Sequence, residues 1–408
     1  MMIDETFIKY VYGKEKYISG NNLYIQHNAI DKGTTDRDKS SDGASSFPYF
    51  YWLDSLKGFG ILLVVMGHTC TYDSILHWIY SFHMALFFII SGLLFRPRPL
   101  IEAIKHKAKH LLVPYVFFAT LTFVYWALIE RHLRPDNIPV SSAFMNLFLA
   151  RAGSDYPQNA VMWFLPCLFV TEIAFLILLR TLQIVTSASS NRVILRHALF
   201  IGLIVVCLAI GYCSEHWLIP MLKTRMPWAL DIVPFSLSFI IIGYLLQPLL
   251  SPVDNIIRHF SSIRLGVAVL GIIGSALLWA FVQITNLNVN LNLAVVSNIA
   301  WMLIASLLGF VSSVCLCSAA DNSALRYIGA ASLTIMCAHE PVKRVVIQCC
   351  TMIVRTNSST LRSSLLISCA IVAIAVCICL VAHVMIKRFA PILIGISNPP
   401  QKHTKCTY

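Results

Sequence analysis

Charge is scarce in this chain. Of 408 residues only 12% are Asp, Glu, Lys or Arg, against 57% hydrophobic, and the mean hydropathy is +0.73. A soluble domain carries about 25% charged residues, so a water-facing fold is excluded and a polytopic membrane protein is implied. A charged-then-apolar leader is also missing. The first 46 residues are polar, so no cleaved signal peptide is expected and they read as a cytosolic tail. The thirteen cysteines include no C-x-x-C pair and no Cys/His cluster at metal spacing. Cys349-Cys350 and Cys377-Ile378-Cys379 lie in apolar runs, where cysteine packs as a small hydrophobe. Neither a metal nor a disulfide framework is expected. No internal repeat and no soluble stretch of domain size is present. The net charge of +12 would point to nucleic acid in a soluble protein. In a membrane protein basic residues gather in cytoplasmic loops instead, so no nucleic-acid partner is expected.

What the chain does have is apolar runs of membrane-crossing length. Ten candidate spans fall at roughly 56–72, 76–95, 111–130, 161–180, 197–213, 229–250, 264–283, 292–318, 327–354 and 364–386. The ninth is interrupted by Lys343 and Arg344 and reads as broken or re-entrant. With the N-terminus inside, 22 Lys and Arg fall on that side and 9 on the other. That asymmetry predicts both termini in the cytosol. The expected fold class is therefore all-α, a polytopic integral membrane protein of about ten transmembrane helices. Residues 1–48 form a polar N-terminal tail, 49–390 the membrane domain and 391–408 a C-terminal tail.

The first span organises the rest. It runs Trp52-Leu53-Asp54-Ser55-Leu56-Lys57-Gly58 through an apolar stretch to Gly67-His68-Thr69. Eleven positions at about 100° bring Lys57 and His68 to one face, roughly 16 Å apart along the axis. Asp54, three positions before Lys57, can pair with it. Gly60 and Gly67 would admit a close neighbouring helix. A histidine in an apolar span is a candidate functional residue; the alternative is a packing histidine bonded to a carbonyl. Span two opens Ser81-Phe82-His83-Met84-Ala85-Leu86-Phe87-Phe88. A short connection makes the two helices antiparallel neighbours, so His83 and His68 can share a cavity, or His83 can tie the helices together. Cations cluster before span three as Arg96, Arg98, Lys105, Lys107, Lys109 and His110. They form either a positive-inside loop or an anion site for a phosphate-bearing cofactor. Trp163 suits an interface anchor, and Glu172 and Asp231 are acids in or at the edge of spans.

These blocks, in this order, resemble the acyltransferase 3 family of membrane acyltransferases, most closely its fucose 4-O-acetylase-like branch. A basic residue, ten residues and a histidine is a hallmark of that family, met here by Lys57 and His68. The second block resembles the family's Ser-Phe-His-Met-Pro-Leu-Phe-Phe, with Ala85 in place of the proline. Met162-Trp163-Phe164-Leu165 resembles its Trp-Phe-Leu motif, and Met226-Pro227-Trp228-Ala229-Leu230-Asp231 matches the branch. Gly329-Ala330-Ala331-Ser332-Leu333 followed by His339-Glu340-Pro341 resembles its closing block. Lys107 and His110 stand where the family has a basic pair. The resemblance implies a catalytic His68, supported by Lys57, Asp54 and His83, in a bacterial inner membrane. It further implies acetyl-CoA as donor substrate with no permanently bound cofactor, donor binding by the 96–110 cations, and a carbohydrate acceptor. Trp163, Glu172, Asp231, Ser332 and His339 would bind the acceptor or support His68. The acyl group stays open between acetyl and succinyl, and the oligomeric state is open. A proton-coupled transporter is the other functional class that buried His and Glu residues would fit.

Overall fold

The computed structural model describes residues 49–133, 138–153, 158–259 and 263–396. The predicted N-terminal tail, 1–48, lies outside the described residues, as does the predicted C-terminal tail, 391–408, beyond residue 396; its start folds as a short 3-10 helix, Pro391–Ile394, with Ile394 buried. The architecture is a bundle of helices with one small hairpin. In chain order the elements are α1 (Tyr51–Thr69), α2 (Asp73–Tyr80), α3 (His83–Leu93), α4 (Leu100–Leu133) and α5 (Val140–Leu149). Then come α6 (Phe164–Val185), α7 (Arg192–Leu222), α8 (Pro227–Ile257) and α9 (Arg264–Thr285). Strands β1 (Val289–Asn290) and β2 (Val295–Val296) precede α10 (Ile299–Ala319), α11 (Ser323–Ala330), α12 (Ser332–Val354) and α13 (Leu365–Phe389).

Among the described residues, eight helical stretches are long and apolar enough to cross a membrane: α2 with α3, α4, α6, α7, α8, α9, α10 and α13. Two more, α1 and α12, have 19 and 23 residues but carry charge inside the bundle. Together they account for the ten expected spans. On α7 and α9, Ile194 is 72% and Leu270 63% exposed, the pattern of helices that face lipid. The expected second span is jointed at Phe82, whose ψ of −24° with φ of −143° breaks α2 from α3. The expected eighth span begins seven residues later than predicted, because 289–296 folds as the antiparallel hairpin β1–β2.

The expected ninth span is broken, though at Ala331 and not at the charges. Ala331 separates α11 from α12, and α12 runs unbroken through Lys343, Arg344 and Pro341. Proline has no N–H to give, so the carbonyl four residues back loses its helical partner. That carbonyl belongs to Cys337, and Asn159 Nδ2 donates to it at 2.7 Å. The exchange fastens the turn before α6 to α12.

Helix α1 is central. At its foot the chain approaches another backbone where two glycines meet. A Cβ on Gly58 would stand 2.2 Å from the Leu325 carbonyl oxygen, and one on Gly329 would stand 1.8 Å from that of Asp54. Gly60 and Gly67, the predicted contact positions, instead meet side chains, those of Phe87 and Tyr80. Ser55 Oγ donates to Asp321 at 2.6 Å, and Arg326 bonds the same carboxylate while lying 4.7 Å over the Tyr51 ring. Burial pushes the Asp321 carboxyl up, but the hydrogen bonds from Arg326 and Ser55 outweigh it and hold the group below its ordinary value. Forcing a side chain into the α1–α11 crossing should cost about 1–3 kcal/mol or more. Gly329→Leu is expected to lower the temperature at which detergent-solubilised protein loses its monodisperse size-exclusion peak. An unchanged midpoint would mean the two helices separate freely.

Candidate functional site

His68 is the penultimate residue of α1, and the end of that helix is unusually well held. The last carbonyls of a helix have no partner within it. Here three in a row are met by side chains from elsewhere. The Gly67 carbonyl accepts from the Tyr80 hydroxyl at 2.7 Å, that of His68 from Lys343 Nζ at 2.8 Å, and that of Thr69 from Arg362 Nε at 2.7 Å. Two of the three donors are cations, which also suits the negative end of the helix dipole. The backbone of His68 is thereby fixed without using its imidazole.

The imidazole faces a cavity of about 220 Å³, lined also by Tyr80, His83, Trp163, Phe164, Asn290 and Asn292. His83 Nδ1 lies 2.9 Å from the Ile79 carbonyl. A carbonyl can only accept, so Nδ1 carries the proton and Nε2 keeps its lone pair. The bond stays within the α2–α3 segment and does not tie α1 to it. The ring of His339 sits 5.6 Å from that of His68, centroid to centroid. His339 is fully buried, its Nδ1 bonded to the carbonyls of Ile335 and Met336 and its Nε2 without a hydrogen-bond partner. Among the described residues, no three His, Cys, Asp or Glu side chains converge closely enough to hold a metal ion.

Beneath His68 lies a buried network of four charges. Glu340 Oε2 stands 4.0 Å from His68 Nδ1 and accepts from Lys343 Nζ at 2.8 Å. Its other oxygen accepts from Arg344 Nε at 3.1 Å, and Arg344 also bonds Glu130 at 2.8 Å. Two carboxylates and two cations balance, which is how buried charges persist. From the sequence Lys343 and Arg344 look like an interruption, and Glu340 is only the middle of a motif. The available signal is Glu340, Lys343 and Arg344 at i, i+3 and i+4 in an apolar span, which puts them on one helix face. Nothing in the sequence marks Asn290 or Asn292.

The remaining expected site residues are distributed as follows. Asp54 and Lys57 pair at 3.1 Å near the far end of α1 from His68. Glu172 and Lys107 pair with each other at 2.8 Å, so the acid meets the cationic segment and is not among the residues that wall the cavity. Arg98 pairs with Glu102 at 3.6 Å, Lys105 is exposed, and His110 stacks on His106 with centroids 4.3 Å apart. Arg96 and Lys109 belong to the same stretch, Arg96 before α4 and Lys109 within it. Asp231 is bound by Arg225, with Nε to Oδ2 at 2.7 Å, and Ser332 begins α12. Trp163 and His83 are thus brought beside His68 at the cavity and His339 against its ring, while the cations, Asp54 and Glu172 lie elsewhere.

A family model described as an acyltransferase domain matches residues 50–384. No curated protein and no solved structure matches the chain.

Proposed function

The chain belongs to the acyltransferase 3 family, and from that premise we propose that it moves an acetyl group from acetyl-CoA to a carbohydrate hydroxyl, with His68 as general base. The observation that carries this reading is the cavity that His68 and His83 wall together at one end of α1. Nδ1 of His68 is turned to Glu340, and on this reading Nε2 serves the acceptor. Nε2 takes the hydroxyl proton, the oxygen forms a bond to the thioester carbonyl carbon, and the carbon–sulfur bond breaks. The departing thiolate takes up the proton that His68 holds. Neutral imidazole suits this work near pH 7. A stepwise variant passes the acetyl group through the histidine itself. Succinyl-CoA is the other donor this reading accommodates, and fucose 4-O-acetylase-like chemistry its narrowest form.

The donor enters, on this reading, from the side bearing Arg96 to His110, with both termini on that cytosolic side. His68 and Lys57 are about 16 Å apart along α1, a span that the extended arm of a coenzyme can thread. Cations at the mouth would hold its phosphates. Lys107 already neutralises Glu172, so the better probe is the exposed Lys105. Changing it to Gln should raise KM for the donor several-fold with little change in kcat, and more at low salt than at high. An unaltered KM at low salt would reduce the segment to a topology signal.

The reading as a whole is tested by incubating membranes that contain the protein with labelled acetyl-CoA or succinyl-CoA and following label into glycan. Label from acetyl-CoA that depends on His68 supports it. No incorporation from either thioester would overturn it.

A further inference from the structure

Building on the acceptor reading above, we propose that the acceptor is a single uncharged, hydroxyl-bearing ring held between the β1–β2 hairpin and the His68–His83 pair. Size is the first argument. At about 220 Å³ the cavity falls below the roughly 300–1,000 Å³ of pockets for drug-sized ligands, so it encloses one ring at a time. Charge is the second. Among the described residues that wall it there is no Asp, Glu, Lys or Arg. Glu340, the carboxylate next to His68, is already matched by Lys343 and Arg344. A carboxylate, phosphate or ammonium on the ring would be desolvated there without a partner.

Hydrogen-bonding polarity is the third argument. Asn290 Oδ1 accepts from the Leu293 N–H at 3.2 Å, and Asn292 Oδ1 from the Gly153 N–H at 3.0 Å. Each amide therefore spends its oxygen on backbone and has two Nδ2 hydrogens left to give. On the same cavity lining, Nε2 of His83 offers a lone pair. The lining thus offers both donors and an acceptor, and a hydroxyl group uses both. Trp163, Phe164 and Phe87 supply the apolar surface on which the C–H face of a ring can pack.

The hairpin is held firmly enough to act as a recognition element. Arg225, itself bound to Asp231, donates to the carbonyls of Leu291 and Asn292, and the Val296 N–H donates to Glu215 at 2.5 Å. Donors fixed in advance cost less ordering on binding.

The test uses the full chain in lipid nanodiscs with acetyl-CoA and three p-nitrophenyl glycosides. They differ in ring charge: a glucoside, a glucuronide and a glucosaminide with free amine. Acetylated product is read by mass spectrometry. The glucoside is expected to be modified at least tenfold faster than either charged ring. Asn292→Asp keeps the oxygen that holds Gly153 but removes the donors. It should raise KM for the glucoside about tenfold, leave KM for acetyl-CoA unchanged and move preference toward the glucosaminide. Equal rates on glucoside and glucuronide, or an unmoved acceptor KM in both Asn292→Asp and Asn290→Asp, would overturn the proposal. If acetyl-CoA yields no product with any glycoside, the acceptor reading itself falls, and this inference with it.

Discussion

Replacing His68 by glutamine should abolish acyl transfer, by on the order of a hundredfold or more, and leave the amount of inserted protein unchanged. The two halves of that expectation have separate causes. Glutamine can hydrogen-bond to an acceptor hydroxyl but cannot take its proton. The fold does not depend on the imidazole, because position 68 is held through its carbonyl, which accepts from Lys343, while Tyr80 and Arg362 hold the residues on either side. The side chain is about a quarter exposed toward the cavity, so the substitution does not empty a packed site, and Glu340 keeps Lys343 and Arg344 as partners. Membranes with equal amounts of wild-type and His68→Gln protein, given labelled acetyl-CoA, provide the measurement. Wild-type labelling by the variant would reduce the histidine to packing.

The same substitution separates the base from the stepwise route. A base-only mechanism predicts no label on the protein at any time after mixing with labelled donor. An acetyl-histidine predicts protein-bound label, formed before acceptor is added and absent from His68→Gln. Neither result depends on which glycan is the natural acceptor.

Much of the bundle was legible in the sequence, and the reasons are physical. Apolar length near 20 residues marks a span whatever its neighbours are, so eight spans followed from composition alone. The pairing of Asp54 with Lys57 followed from spacing on one helix. His68 and His83 could be placed together because a short connection forces antiparallel neighbours. What spacing does not carry is the contact between distant segments. Glu172 and Lys107 are 65 residues apart and neutralise each other. Gly58 and Gly329 come together because α11 crosses α1, which no local pattern announces. The hairpin that brings Asn290 and Asn292 over the cavity is only two residues per strand, too short for an alternation to show. The cations of residues 96–110 look alike in sequence, and only the fold separates paired Lys107 from exposed Lys105.

Glu340→Gln is expected to lower kcat at least tenfold with KM for donor and acceptor unchanged. Glu340 touches neither substrate on this reading. It acts through His68, whose Nδ1 its carboxylate faces at 4.0 Å. When His68 takes a proton, a negative charge at that distance stabilises the imidazolium by on the order of 4 kcal/mol at an effective dielectric of about 20. Lys343 and Arg344 on the same carboxylate offset part of this, which is why tens-fold and not thousands-fold is expected. The opposing explanation is stability alone. Losing one member of a buried pair costs about 3–5 kcal/mol, and Glu340→Gln takes the carboxylate away from Lys343, which keeps the carbonyl of His68, and from Arg344, which keeps Glu130. The double variant Glu340→Gln with Lys343→Gln decides between them. It leaves Glu130 and Arg344 as a balanced pair, and the glutamine at 343 still has N–H groups to offer the His68 carbonyl. If Glu340 merely balances charge, the double variant regains both its thermal midpoint and its rate. If Glu340 orients and stabilises His68, the midpoint recovers and kcat stays low, while Glu340→Asp, which keeps a carboxylate, recovers part of it. Full recovery of kcat in the double variant would remove Glu340 from the mechanism and leave it as a counter-ion.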